Sequence, residues 1–166
     1  MDTISRAADF IGLRTGEEKP SAKPKAGKRA GAGKAAAYKV RLAPAERVQL
    51  VKIIREGFPV ETVQHIVDSG RLNPVEVDRV VLPRKTWANR KRTGKLTAEQ
   101  SDRLLRVARV IAAAEEVFGH KDKAGLWLRR QTTALDGERP LDLLDTEEGA
   151  REVETLLTRI GHGIAA

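Results

Sequence analysis

From Pro44 to Gly161 this chain repeats one pattern: a proline or capping residue, aliphatic residues three and four apart, then a glycine. Strand-like alternation is nearly absent, so the pattern confines the chain to an all-α fold. Pro44 opens PAERVQLVKIIREG, with Val48, Val51 and Ile54 in a stripe and Gly57 as the stop. Pro59 opens PVETVQHIVDSG, with Val63 and Ile66 or Val67 facing inward and Gly70 closing it. Asn73 caps NPVEVDRVV, where Pro74 takes the first helical position and Glu76 completes a capping box. Thr97 and Gln100 form another box ahead of AEQSDRLLRVARVIAAAEEVFG, in which Leu104, Ala108, Ile111, Ala114 or Glu115, and Phe118 recur at helical spacing. About twenty residues make roughly 30 Å of helix, enough to join two lobes rigidly. A last helix is capped by Thr146, lined by Ala150, Val153, Leu157 and Ile160, and ended by Gly161.

Charge divides the chain differently. The 166 residues carry 31 basic and 23 acidic side chains, a net of +8, which points to a polyanionic partner without fixing a fold. Residues 99–166 hold thirteen acids and ten bases, so the positive excess lies earlier. Residues 14–39 are rich in Gly, Pro, Lys and Ala, have little to bury, and are expected to form a mobile basic linker. Before them, Ile4, Ala8 and Ile11 share one side of a short helical pattern. Alone it is too short to persist in water, and a frayed end is expected ahead of the alternative, docking on a partner.

LPRKTWANRKRTGKL, residues 82–96, contains six Lys or Arg and no acid. With Pro83 as the first helical residue, Arg84, Lys85, Ala88, Asn89, Lys91 and Arg92 fall within about 160° of arc. Trp87 falls outside that arc and is expected to anchor the helix in the core. The helix at 74–81 precedes it across a tight turn, which is the helix-turn-helix arrangement. Arg pairs bidentately with guanine, Asn with adenine, and lysines neutralise phosphates. Arg84, Lys85, Asn89, Lys91 and Arg92 are therefore the candidate DNA-binding residues.

Other chemistries lack support. There is no cysteine, and His65, His120 and His162 are far apart without ligand spacing. The glycines at 27–33 lie in the low-complexity stretch and follow no strand, so no phosphate-cradling loop is read there. No nucleophile–base pairing stands out, no metal or cofactor is expected, and an enzyme is not the favoured reading. No run approaches the roughly twenty apolar residues of a membrane span. A cytoplasmic protein, nucleoid-associated when on DNA, is expected.

The C-terminal third resembles the toxin-binding region of Xre/MbcA/ParS-type antitoxins. AEEVFG, then WL, then PLDLLDTEEGA, then LTRIGHG carry the resemblance. VVLPRKTWANRKRTGKLTAEQSDRLLRVARV is similar to that family's helix-turn-helix segment, so the likeness spans residues 60–166. Two departures fall in one loop: Gln131 and Thr132 replace a common Pro-Asn pair, and Asp136 stands where glycine is common. The resemblance implies an antitoxin that binds a RES-domain, NAD-consuming toxin and covers its active-site entrance with the C-terminal segment. It also implies that the helix-turn-helix region, as a dimer, represses the shared promoter on double-stranded operator DNA. Expected partners are the cognate toxin, operator DNA and a second copy, as a homodimer or a higher hetero-oligomer with toxin. The alternative is a stand-alone helix-turn-helix regulator without a toxin.

The expected organisation is a basic arm at 1–39, a DNA-binding domain at 40–98 and a toxin-binding domain at 99–166. Arg129, Arg130, Gly161, His162, Gly163 and Ile164 are the candidate toxin contacts. Trp127, Leu128, Leu143 and Leu144 are expected in the core of the small lobe. Glu138, Asp142, Asp145, Glu147 and Glu148 form an acid-rich surface able to face a basic pocket mouth, although Glu147 and Glu148 also suit the start of the last helix.

Overall fold

The computed structural model describes residues 3–12 and 47–163. They form α1 (Thr3–Phe10), α2 (Arg47–Glu56), α3 (Glu61–Asp68), α4 (Pro74–Val80), α5 (Arg84–Thr93), α6 (Ala98–Phe118), α7 (Lys121–Arg129) and α8 (Glu147–Gly161). Two 3₁₀ turns, Thr133–Leu135 and Asp142–Asp145, lie between α7 and α8. The all-helical expectation holds: among the described residues the sole β-type pairing is an isolated bridge between Pro59 and Lys95.

Helix α6 is the axis of the fold. Thr97 and Gln100 cap it reciprocally and Gly119 ends it in the left-handed conformation, as the signals predict. Its burial goes beyond the single stripe expected. Leu104, Val107, Ala108, Val110, Ile111, Ala112 and Ala114 are all buried, because α1, α2, α7 and α8 pack around it. A helix buried on several sides loses the amphipathic pattern from which inward faces are read.

A backbone crossing locks the base of the first lobe. Phe58 and its neighbours run beside the segment after α5, with Leu96 N–H donating to Phe58 O (2.9 Å) and Val60 N–H to Gly94 O (3.0 Å). Gly57 has φ +84° and a Cβ there would lie 2.1 Å from Leu96 O, so only glycine fits. The buried Phe58 N–H donates to Ser101 Oγ (2.8 Å), and Ser101 Oγ donates to Thr97 O (2.7 Å). Ser101→Ala removes that acceptor and is expected to cost about 1–3 kcal/mol, measured by urea denaturation. A change near zero would mean the Phe58 amide finds another partner.

Several expectations need correction. Val51 is exposed, and Leu50 and Ile53 turn inward in α2 beside the expected Ile54. Helix α3 begins at Glu61, because Pro59 is engaged in the bridge to Lys95. Pro83 is the N-cap of α5 and Arg84 its first residue. Residues 3–12 are not frayed: α1 lies on α6 with Ala7, Ala8 and Ile11 fully buried. Burial of an apolar face supplies what an eight-residue helix lacks in isolation. The expected linker at 14–39 lies outside the described residues, as does the start of the expected 40–98 domain.

Candidate DNA-reading and toxin-binding surfaces

The first surface is built on α4 and α5. Asn73 caps α4, accepting from Val75 and Glu76 N–H at 2.9 Å, while Glu76 returns a bond from Asn73 N–H at 2.8 Å. Val81, Leu82 and Pro83 make the turn. Proline offers no side-chain cap, and the Asp78 carboxylate of α4 takes that part by accepting from Arg84 N–H. The two helices are thus joined by chain and by cap, which fixes their angle.

Trp87 is the one buried side chain of α5, 8% exposed. With Trp87 inward, Arg84, Lys85, Asn89, Lys91 and Arg92 are all exposed. Lys91 differs from the rest, because its Nζ lies 4.7 Å from the Trp87 ring centroid. That contact holds the charge near the helix and limits its reach toward a phosphate. Among the described residues no ion pair engages Arg84, Lys85, Lys91 or Arg92, so the face stays positively charged.

The second surface lies on α7, α8 and the segment between them. Arg129, one of the candidate toxin contacts, is engaged within the fold. Its guanidinium forms a paired contact with Glu76 (2.6 and 2.8 Å) and donates to Arg71 O and Gly125 O, both at 3.0 Å. Arg129 thus joins α7 to the capping carboxylate of α4, leaving Arg130 as the exposed arginine of the pair. The most exposed large apolar side chain of α7 is Leu126, at 74%. It was overlooked because in sequence it reads as one more leucine beside Trp127 and Leu128.

Gly161, His162 and Gly163 are exposed at the end of α8, while Ile164 lies outside the described residues. Gly161 and His162 line a groove of about 780 Å³ between α6 and α8, floored by Ala113, Val117 and Leu157. Arg109–Glu154 (2.7 Å) ties its walls, and Arg106–Glu147 (2.7 Å) joins α6 to α8 beside it. The acid-rich surface is accordingly smaller than expected. Glu147 pairs with Arg106 and Arg151, Glu148 with Arg151, and Asp142 with Arg79 of α4 (2.5 Å). Glu138 and Asp145 remain exposed. Of the expected core residues, Leu128 and Leu144 are buried, whereas Leu143 and Trp127 are half-buried, Trp127 standing 5.4 Å from the Phe118 ring.

The PLDLLDTEEGA signature has a physical basis here. Leu141 and Leu144 are buried and Thr146 caps α8. Gly149 sits so close to the preceding turn that a Cβ would lie 2.1 Å from Leu143 O. Asp136 has φ +56°, so the aspartate adopts the left-handed conformation that glycine commonly supplies. The departure in sequence therefore preserves the turn.

Among the described residues no helix is long and apolar enough to cross a membrane, and no cluster of His, Cys, Asp or Glu has the makings of a metal site.

Comparison with known proteins places two parts of the chain in known families. Residues 49–109 match an antitoxin Xre-like helix-turn-helix domain. Residues 113–163 match the antitoxin Xre/MbcA/ParS C-terminal toxin-binding domain. The two ranges meet within α6. The chain is 36% identical to antitoxin Xre of Pseudomonas putida over 110 residues, covering 66% of this chain and 69% of that one. It is 36% identical to antitoxin Xre of Photorhabdus laumondii over 117 residues, covering 69% and 79%. It is 28% identical to a Sphingobium protein named Prs ADP-ribosylating antitoxin over 143 residues, covering 78% and 88%. The chain belongs to the Xre antitoxin family, with a helix-turn-helix domain followed by an Xre/MbcA/ParS toxin-binding domain.

Proposed function

We propose that this antitoxin inhibits a RES-domain, NAD-consuming toxin and represses its own operon through α5. The observation carrying the DNA half is the exposed face of Arg84, Lys85, Asn89 and Arg92, held outward by Trp87 and, among the described residues, without an ion pair to its basic side chains. Most acids of the C-terminal lobe, by contrast, are consumed in internal pairs. Arg84 and Asn89 read base edges, while Lys85, Arg92 and, with shorter reach, Lys91 meet phosphates. Paired half-sites call for a homodimer, or a higher assembly with toxin. The site of action is the cytoplasm, at the nucleoid when the operator is bound.

For the toxin half, Arg130 and the end of α8, from Gly161 through Ile164, form the contact that covers the toxin's active-site entrance. A short segment rich in glycine and small residues enters a cleft at small steric cost. The name of the Sphingobium relative supports NAD-consuming chemistry, since ADP-ribosylation draws its ADP-ribose from NAD.

Deleting residues 161–166 separates the two halves. In cells also expressing the cognate RES toxin, the truncated chain is expected to lose protection, and growth stops. Operator affinity should stay within about twofold, because α5 and its phosphate contacts are untouched. Full protection by the truncated chain would place inhibition elsewhere on the lobe.

A further inference from the structure

Helix α1 lies outside both matched domains, yet it is seated where they meet. Its inward face is Ala7, Ala8 and Ile11, with Ile4 and Phe10 half-buried beside them. The seat is formed mainly by α6, with His65 of α3 beside Gly12: a Cβ on Gly12 would lie 3.2 Å from the His65 ring. At the rim, Arg6 pairs with Glu116 (3.6 Å), and the Phe10 ring lies under the Arg71 guanidinium (3.5 Å to the centroid).

Arg71 is the junction. Its guanidinium makes a paired contact with Glu115 of α6 (2.9 and 3.1 Å), both side chains largely buried. Its carbonyl accepts from Arg129 of α7, and Arg129 grips Glu76, the carboxylate capping α4. An unbroken line of contacts therefore runs from Phe10 through Arg71 and Arg129 to the first helix of the helix-turn-helix.

We propose that α1 is an N-terminal strap, docked in cis in a helix-binding seat on α6, that locks the toxin-binding lobe to the DNA-reading lobe. The seat fits an amphipathic helix with two alanines and an isoleucine inward, an aromatic ring for the arginine face and a base opposite Glu116. Two alanines and one isoleucine bury little surface, and an eight-residue helix does not persist undocked. The strap is therefore the first element to open, below the global unfolding transition. When it opens, Arg71 loses the ring that shields it and the Arg71–Glu115 pair meets water. The seam at Glu76 and Arg129 then loosens, and with it the fixed angle between the two lobes.

Hydrogen exchange on the full-length chain tests this without toxin or DNA. In the Ala8→Asp variant, a carboxylate on the buried face blocks docking. Amides of α1 should lose protection, and those of α4 and the end of α7 should exchange at least about tenfold faster, while the middle of α6 stays protected. Phe10→Leu, which keeps the apolar contact but not the ring over Arg71, should speed α4 and α7 while leaving α1 largely protected. Unchanged exchange in α4 and α7 when α1 is free would overturn the strap. Loss of protection throughout α6 would do so as well, making α1 an integral part of the core. Sedimentation of the same samples reads the remaining alternative: conversion of a dimer to a monomer in Ala8→Asp would show α1 docking on a second copy, against the cis assignment.

Discussion

Trp87→Ala is expected to cost about 3–5 kcal/mol of folding stability, the usual loss for a buried aromatic reduced to alanine, and to abolish operator binding. Helix α5 has the sequence RKTWANRKRT, and Trp87 is its one buried side chain. Without it, a ten-residue helix with three basic residues in its last turn has no apolar face to hold it on the lobe. The loss is a large share of the roughly 5–15 kcal/mol that keeps a domain folded. One feature tempers the role of the indole itself. Among the described residues its buried Nε1 has no hydrogen-bond partner, a penalty that a phenyl ring avoids. Trp87→Phe should therefore stay within about 1.5 kcal/mol of wild type and keep operator binding. Urea denaturation together with DNA binding reads both variants. A Trp87→Ala chain that still binds its operator would show that α5 is held by something other than this contact.

Arg84→Ala and Asn89→Ala are each expected to cost about 1–3 kcal/mol on the cognate operator, or roughly fivefold to 150-fold in affinity. Both should relax the base preference at one position of the site. Neither side chain supports the fold: both are exposed, and the Asp78 cap engages the Arg84 backbone rather than its guanidinium. Thermal stability is thus expected to change little, which separates reading from folding. Lys85→Ala and Arg92→Ala should instead weaken binding on all sequences and reduce its salt dependence. Lys91→Ala should do so less, because its ammonium already lies against the Trp87 ring. Binding curves at several salt concentrations on specific and scrambled duplexes distinguish these patterns. Unchanged operator affinity in both Arg84→Ala and Asn89→Ala would remove α5 from the role of reader.

What could be read before the structure was what depends on neighbours in sequence. The Asn73–Glu76 and Thr97–Gln100 boxes, the glycine stop after α6 and the exposed face of α5 each involve residues within a few turns of one another. What escaped depends on partners far along the chain. The burial of α6 on several sides comes from helices on both flanks. The grip of Arg129 on Glu76 spans 53 positions, and nothing in WLRRQ marks one arginine as held and the next as exposed. Helix α1 is the clearest case. By composition it is a short segment ahead of a basic low-complexity run, and its docking rests on a seat formed by residues a hundred positions away. The toxin was beyond reach by periodicity or charge, and came into view through the PLDLLDTEEGA signature.

The most direct measurement is to recover the full-length chain from its native host at its natural level and quantify what accompanies it by mass spectrometry. A RES-domain protein in stoichiometric amount is the result this account predicts. Recovery with DNA and no stoichiometric protein partner would contradict it, and would leave a regulator that keeps an antitoxin's fold without its toxin.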